Sequence, residues 1–355
     1  MIRSAASSIY GVVTRQRRQW YARRPSRQRR LARPVVSVGN LTVGGSGKTP
    51  VVEHLARLLL EMGEQPAVLS RGYGRRISSE GVTVVSDGAR VLADVDHAGD
   101  EPLMLARALP GVPVVVAADR YLAGRHAEQQ LGATVHLLDD GFQHIALWRD
   151  INLLLVDQGD LEDAVLPAGR LREPLSAAAA ADALLTKETD EPSRVRLRER
   201  LGVGTVFDVH RSLESVRMVT SGKPIVPGTV GPVFAVAGIA RPQRLFEDLS
   251  AAGWRLGGTM TFRDHYRFTQ SDVNRIARAT RDAQMHIVVT TAKDAVRFEP
   301  LDCSPLALAI AYTSSTVEPA LFFKAWMTER LAKARAGGQA EAGGQPPPRA
   351  GSPAS

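Results

Sequence analysis

Short apolar runs recur along the first half of the chain, and helical stripes fill the intervals between them. Val35, Val36 and Val38 form a β-branched run that reads as a doubly buried strand. Val51, Leu55, Leu58 and Leu59 then fall on one helical stripe. Further strands are predicted at 66–69, 113–117, 134–138, 150–157 and 183–187, with helices over 103–109, from 119, and over 191–201. Residues 82–92 predict a small hairpin turning at Asp87-Gly88. This alternation over 35–190 predicts an α/β fold: a phosphate-loop, mostly parallel sheet with helices on both faces, closing at 183–187.

The pattern then changes. Residues 205–230 read as irregular β with Gly-Pro turns. A second, smaller α/β unit follows, with strands from 232, over 258–262 and over 286–291, and helices over 242–252, 271–283 and 319–335. Glycine, alanine, proline and glutamine from about 336 predict a disordered tail. The expected division is an arm (1–34), a core domain (35–204), a short β linker (205–231), a second α/β lobe (232–335) and a tail (336–355). No internal repeat is visible.

Composition narrows the class. The 355 residues suffice for one large or two medium domains. The single cysteine, Cys303, excludes a disulfide framework and points to a reducing compartment. No stretch approaches the ~18 to 20 apolar residues of a spanning helix. The net charge of +8 is concentrated in residues 1–34, which hold ten arginines and no acid; subtracting those ten charges leaves −2 for the rest. Within that arm, Ile2, Ala5, Ile9, Val12, Val13, Trp20 and Tyr21 recur near helical spacing. A basic amphipathic helix suits an anionic membrane surface. A helix packed on the body and a nucleic-acid arm compete with that reading. A targeting peptide is disfavoured, because an apolar core and a small-residue cleavage site are missing.

The chemistry concentrates where strands end. Val35–Thr49 (VVSVGNLTVGGSGKT) places a glycine-rich loop between strand and helix, as phosphate binding requires. Backbone N–H groups of Gly44, Gly45, Ser46 and Gly47 would approach phosphate oxygens, with Lys48 reaching the β- and γ-phosphates and Thr49 ligating Mg²⁺. Thr42 replaces the first glycine of the usual spacing, and Val43 stands where one subclass of this loop carries lysine. Strand 66–69 ends in SRGYGRR, where Arg71 and Tyr73 suit either an anion contact or a solvated turn. Asp100 and Glu101 open a helix; Asp100 is well placed to cap it, and two adjacent carboxylates at a helix start also suit metal or general-base work. Arg120 lies where a strand ends. Strand 134–138 runs into Asp139-Asp140-Gly141-Phe142-Gln143-His144, and an apolar strand ending in aspartate holds the Mg²⁺ shell in phosphate-loop enzymes. Pro167–Pro174 brings together Arg170, Arg172 and Glu173.

The ordered set VGNLTVGGSGKTP, SRGYGRR, AGDEP, DDGFQH, LREP, FRDHYRF and T-x-KD resembles the tetraacyldisaccharide 4′-kinase family, over about residues 35–300. This is the lipid A kinase family of Gram-negative bacteria. The resemblance implies ATP-dependent phosphorylation of the 4′-hydroxyl of a tetraacyldisaccharide 1-phosphate, by a peripheral enzyme at the cytoplasmic face of the inner membrane. It implies ATP and Mg²⁺ as cofactors, an N-terminal helix docked on the membrane, and neither a nucleic-acid nor an obligate protein partner. Asp100 then matches the catalytic aspartate and His265 its paired histidine. Asp139 and Asp140 match the metal-associated pair, with Gln143 beside them. Arg71, Arg120, Arg172 and Glu173 match active-site positions, with Glu101 in support. Ala292 stands where glutamate is expected, so no role is carried to it.

That chemistry is coherent on its own terms: a sugar hydroxyl needs a carboxylate to take its proton as the P–O bond forms. The alternative is a switch or partitioning ATPase with a deviant phosphate loop, acting on a protein or DNA partner. A GTPase is weakly suggested by Thr186-Lys187-Glu188-Thr189, in which Thr189 replaces the aspartate that reads guanine. A pure nucleic-acid binder leaves both aspartate motifs unexplained.

Overall fold

In the computed structural model, which describes residues 2–45, 47–77, 81–187 and 189–342, the run of six fully buried residues Val35–Asn40 forms β1. The elements in chain order are α1 (Ile2–Ala22), β1 (Val35–Asn40), α2 (Lys48–Glu61), β2 (Pro66–Ser70), β3 (Thr83–Asp87), α3 (Val95–Ala98), α4 (Asp100–Ala108), β4 (Pro113–Val116), α5 (Arg120–Gln130), β5 (Val135–Asp139), β6 (Ile151–Leu155), β7 (Ala183–Lys187) and α6 (Glu191–Leu201). They continue with β8 (Val206–Met218), β9 (Pro224–Ile225), β10 (Val233–Ala237), α7 (Gln243–Ala251), β11 (Leu256–Thr261), α8 (Gln270–Asp282), β12 (Ile287–Thr291), α9 (Ala292–Phe298), β13 (Ala307–Glu318) and α10 (Ala320–Ala342).

All strands join one 13-stranded sheet in the order β11-β10-β12-β13-β8-β7-β6-β1-β5-β2-β4-β3, with β9 on the side of β8. The sheet therefore does not end at β7, as its sequence run suggested. Leu184–Lys187 instead pair in parallel with Val206–Val209 of β8, which covers an edge that would otherwise leave apolar backbone unpaired. Nor are residues 206–218 irregular: they form one 13-residue strand. Its antiparallel partner is β13, which reading the sequence did not find. ALAIAYTSSTVE has too little alternation to announce a strand, and pairing with β12 on one side and β8 on the other stabilises it. The β8–β13 ladder is the antiparallel seam between two parallel blocks.

Three smaller expectations also change. The hairpin of 82–92 reduces to one bridge, Ser86 with Val91, and β3 pairs antiparallel with β4 at the sheet edge. Residues 292–298 form helix α9, begun by Thr291, whose hydroxyl accepts from Asp294 N. Helix α10 runs past 335 to Ala342, where Ala332, Ala334 and Ala336 favour helix despite Gly337. Residues 343–355, the remainder of the expected tail, lie outside the described residues.

Helices cover both sheet faces. On one, α2, α4 and α10 bury Val51, Leu55, Leu103, Phe323 and Met327 against Val36, Val38 and Leu137. On the other, α5 packs Ala123 and Ala127 over Val35 and Leu69. Helix α10 returns from the end of the chain to the first block, setting Phe323 and Trp326 against Phe207 of β8 with ring centroids 4.8 and 5.6 Å away. Helix α1 touches the body through a narrow stripe: Ser7 hydrogen-bonds the Val165 carbonyl and Gly11 faces Pro174. Its large apolar residues turn outward, with Ile9 66%, Val13 56% and Val12 50% exposed. Among the described residues no helix is long and apolar enough to cross a membrane.

One close approach fixes the centre of the sheet. A Cβ on Gly39 would meet the Phe142 side chain and lie 2.9 Å from Phe142 N. Gly39→Ala is expected to cost about 1–3 kcal/mol by overpacking, and to displace the turn that carries Asp140. Urea unfolding of the variant measures the loss; unchanged stability would mean that the turn yields freely.

Candidate active site

Because β1 has β5 on one side and β6 on the other, the carboxyl ends of β1 and β5 open into a crevice where ligands bind in sheets of this kind. Ile239 and Ala240, which follow β10, and Thr291, which ends β12, line the same cleft, of about 1380 Å³. The cleft is thus walled by both parallel blocks.

The phosphate loop forms its floor. Gly44 and Gly47 adopt φ of 99° and 91°, a left-handed backbone that other residues resist. Helix α2 starts directly at Lys48, with Gly47 as its cap residue and Pro50 in the first turn, where a missing N–H costs nothing. Gly44, Gly45, Gly47, Lys48 and Thr49 all line the cleft; Ser46 lies outside the described residues. Thr42 lines it too, but its hydroxyl accepts from Asn40 Nδ2 at 3.0 Å, and its backbone bridges to Leu171. Across the cleft, Arg244 of α7 donates to the Gly45 carbonyl at 3.1 Å.

Asn40 is a residue the sequence reading missed. It is buried at the end of β1, and its side-chain oxygen accepts from Lys48 Nζ at 3.0 Å and from Arg172 Nη2. Arg172 in turn grips Asp140 through both guanidinium nitrogens, at 2.7 and 2.8 Å, and Lys48 lies 3.4 Å from the same carboxylate. Burial alone would raise the Asp140 pKa; Arg172 and Lys48 overcome it and hold the group down at about 2. Its neighbour goes the other way. Burial, with the charges of Glu101 and Asp140 adding to it, pushes Asp139 up to about 7. The two aspartates of one motif therefore hold protons very differently.

The second cluster spans the blocks. Asp100 does not cap its helix: Gly99 occupies the cap position, and Asp100 is the first residue of α4. Its Oδ2 accepts from His265 Nδ1 at 2.9 Å across 165 residues of sequence, from Arg297 Nε at 3.0 Å and from Arg297 Nη2. Its Oδ1 accepts from the Glu101 N–H at 3.0 Å. Burial raises the Asp100 pKa, but the His265 hydrogen bond and the Lys293 and Arg297 charges overcome it and hold the carboxyl far below its ordinary value. His265 adopts a left-handed φ of 55° and donates its N–H to Asp264 at 3.0 Å, which fixes the turn and aims the ring. Tyr73 stands edge-on to that ring, centroids 5.2 Å apart.

Lys293 and Arg297 were likewise missed. Lys293 stands in the T-x-KD motif, and the i, i+4 spacing of the pair on α9 was a second signal, since it puts both cations on one helix face. Lys293 donates to Glu101 at 2.8 Å, and its Nζ lies 3.4 Å from His265 Nε2. Buried Arg297 also bonds the Gly238 carbonyl and Asp294, both at 2.9 Å.

The remaining expected residues divide. Arg71, Arg120, Gln143 and Glu101 line the cleft. Burial, then the nearby Arg71 charge, lowers Arg120 to about 10. The same burial, with Arg120 beside it, lowers His144 to about 4, leaving a neutral imidazole in the cleft. Glu173 faces away from the cleft, buried beneath α1, where Arg18 Nη2 donates to it at 2.6 Å.

A family model described as tetraacyldisaccharide-1-P 4′-kinase matches residues 2–332. The tetraacyldisaccharide 4′-kinase of Desulfotalea psychrophila is 39% identical over 302 residues, covering 82% of this chain and 86% of that protein. That of Geobacter metallireducens is 42% identical over 307 residues, with the same 82% and 86% coverage. Among solved structures, the crystal structure of an "apo" form LpxK from Aquifex aeolicus in complex with ATP superposes with a TM-score of 0.76 at 32% identity, covering 93% of this chain and 100% of that one. On this evidence the chain belongs to the tetraacyldisaccharide 4′-kinase family.

Proposed function

We propose that this protein transfers the γ-phosphoryl group of ATP to the 4′-hydroxyl of a tetraacyldisaccharide 1-phosphate, with Asp100 as general base and His265 as its partner. The observation that carries the reading is the Asp100–His265 hydrogen bond, 2.9 Å long, which joins the two sheet blocks at His265, a residue that lines the cleft together with the phosphate loop. Family membership supports the reaction, and the Aquifex aeolicus relative is described in complex with ATP.

The proposed roles follow from where charge develops. Backbone N–H groups of the phosphate loop and Lys48 bind the phosphates, while Arg71, Arg120 and Arg172 offset charge on the transferring group. Asp100 accepts the hydroxyl proton. Its basicity is low, because the Arg297 and Lys293 charges and the His265 hydrogen bond face it. That suffices for a loose transfer, in which the hydroxyl becomes acidic only as its oxygen bonds phosphorus. Asp100 Oδ1, which accepts the Glu101 N–H, is the oxygen assigned to that proton. His265 holds Oδ2, and Lys293 secures Glu101 and His265 together.

Mg²⁺ fits the donor set. Burial of Asp139, with the carboxylates of Glu101 and Asp140 close enough to raise it further, gathers acidic oxygens at the end of β5 that a cation would relieve. Asp139 and Thr49 would hold the ion, which would supply positive charge to the phosphates during transfer. No cluster of three or more His, Cys, Asp or Glu occurs among the described residues; Mg²⁺ bound mainly by phosphates and water needs none.

Helix α1 is proposed to place the enzyme on the membrane. It presents Ile9, Val12 and Val13 outward between arginines, so apolar insertion and attraction to anionic headgroups act together. The cytoplasmic face of the inner membrane is the location this implies.

The direct test follows label from γ-labelled ATP into a tetraacyldisaccharide 1-phosphate in mixed micelles. Asp100→Ala is expected to lower kcat by about 10²- to 10⁴-fold, and Lys48→Ala by about 10²- to 10³-fold. ATP hydrolysis without lipid labelling, insensitive to Asp100, would replace the kinase reading with a switch ATPase. A second measurement uses pH. A depressed carboxyl stabilises the fold above its unfolded pKa of about 3.9 and loses that contribution as pH falls toward the folded value. The stability gap between wild type and Asp100→Asn should therefore narrow below about pH 4; a gap constant with pH would show that Asp100 is not held ionised by its partners. For the membrane, replacing exposed Arg3, Arg15 and Arg23 together by alanine should weaken binding to anionic vesicles by about 10²-fold, at roughly 1 kcal/mol per charge. Unaltered co-sedimentation would remove electrostatic docking from the account.

A further inference from the structure

The helix that faces outward is also wired to the phosphate loop. Arg18, on the inward side of α1, donates to Glu173 through Nη2 at 2.6 Å and Nε at 3.3 Å, across 155 residues of sequence. Its Nη2 also reaches the Phe142 carbonyl at 3.4 Å, and its guanidinium lies over the Phe142 ring, 4.6 Å from the centroid. Glu173, 3% exposed, is shared with Gln143, whose Nε2 lies 3.4 Å from its carboxylate and 3.0 Å from the Asn40 carbonyl. Asn40 then holds Lys48 and Arg172 by its side chain. Arg17, one residue earlier, donates to the Gln143 carbonyl at 3.1 Å and lines the cleft.

A carboxylate this buried needs a cation close by, and removing one partner leaves the other's charge uncompensated. Without Arg18, the hydrogen-bond partner left to Glu173 is Gln143, and the nearby cation is Arg149, which holds the Gly141 and Phe142 carbonyls. Drawing Gln143 toward Glu173 pulls on Asn40, and so on the lysine that meets the transferring phosphate. We propose that Arg18 is a positioning residue: through Glu173, Gln143 and Asn40 it sets the geometry of Lys48, so turnover depends on α1 being seated against the body. The inference rests on the kinase reading above, and it goes beyond docking: one face of α1 meets the lipid phase while the other governs the rate.

The test compares full-length Arg18→Ala, Arg18→Lys, Arg15→Ala and the double variant Arg18→Ala/Glu173→Gln. For each, kcat, KM for lipid and for ATP, ATP affinity by calorimetry, thermal midpoint and binding to anionic vesicles are measured. Arg15 is exposed on the same helix and controls for loss of one positive charge. Arg18→Ala should lower kcat about tenfold or more, as expected for a displaced catalytic group, while lipid KM and vesicle binding match Arg15→Ala. Arg18→Lys should recover part of the rate, keeping the charge but losing the fork. The double variant should lose no more than Arg18→Ala, since a neutral amide needs no counter-charge. Loss confined to lipid KM and vesicle binding would make Arg18 a headgroup contact and overturn the proposal. So would a kcat equal to that of Arg15→Ala, or a fall in kcat that tracks the thermal midpoint with no rescue by lysine. Should wild type fail to label lipid, the kinase reading falls; Arg18 is then judged by ATP affinity, which must weaken in Arg18→Ala relative to Arg15→Ala.

Discussion

An ionised carboxylate buried in a protein costs several kcal/mol unless cations and hydrogen bonds offset it, and Asp100 meets that condition only through residues far along the chain. His265 follows β11, while Lys293 and Arg297 belong to α9. All three come from the second parallel block, whereas Asp100 opens a helix of the first. Asp100 can therefore be buried and ionised at once only when the blocks are apposed. Arg297 carries the constraint further, because its Nη1 is fixed by the Gly238 carbonyl after β10 and by Asp294. The end of β10, the start of α4 and helix α9 are held by one guanidinium. The poise proposed for Asp100 and the registration of the two blocks are thus a single electrostatic problem.

The sheet makes that solution geometrically available. The antiparallel seam of β8 and β13 joins two parallel blocks into one surface, and their strand ends open on a common cleft. Cations on the first block's side are kept in place before any phosphate arrives. Lys48 and Arg172 rest on Asn40 and Asp140. Donors oriented in advance need little reorganisation when charge develops, which is the largest source of electrostatic catalysis. Thr42 contributes to this order: its hydroxyl and carbonyl satisfy the Asn40 amide, leaving the Asn40 oxygen for the two cations.

How much of this was legible in the sequence depends on range. Buried β-branched runs such as Val35–Val38 and Pro113–Val116, and the loop ending in Lys48-Thr49, announce themselves because local pattern and local function coincide. The strand Ala307–Glu318 does not, because its stability comes from two neighbouring strands and not from its own alternation. The helix α1 was visible as amphipathic, but only packing reveals that its small residues face the body and its large ones face out. Asp100 looked like a helix cap because carboxylates at helix starts commonly are; Gly99 holds that position instead. Arg297 carries no motif, and Asn40 stands within VGNLTVGGSGKTP with no role legible there. Each matters through partners brought close by folding, so spacing alone could not assign them.

Backbone strain marks the same places. Among the described residues, the non-glycine positions with left-handed φ are Asp140, His265 and Gln284. Gln284 follows a helix end, where such a conformation is common. The other two are the residues that aim a carboxylate and an imidazole into the cleft. Each such conformation costs on the order of 1–3 kcal/mol and persists only where the surroundings over-determine it. For Asp140 the bidentate grip of Arg172 supplies that, and for His265 the Asp264 and Asp100 hydrogen bonds do. Relaxing either residue to an extended backbone would turn its side chain away from these partners, and the partners' charges would then be left unmatched. The strain and the ion pairs hold each other in place, which is why the site departs from local sequence preference at the points where the chemistry is proposed.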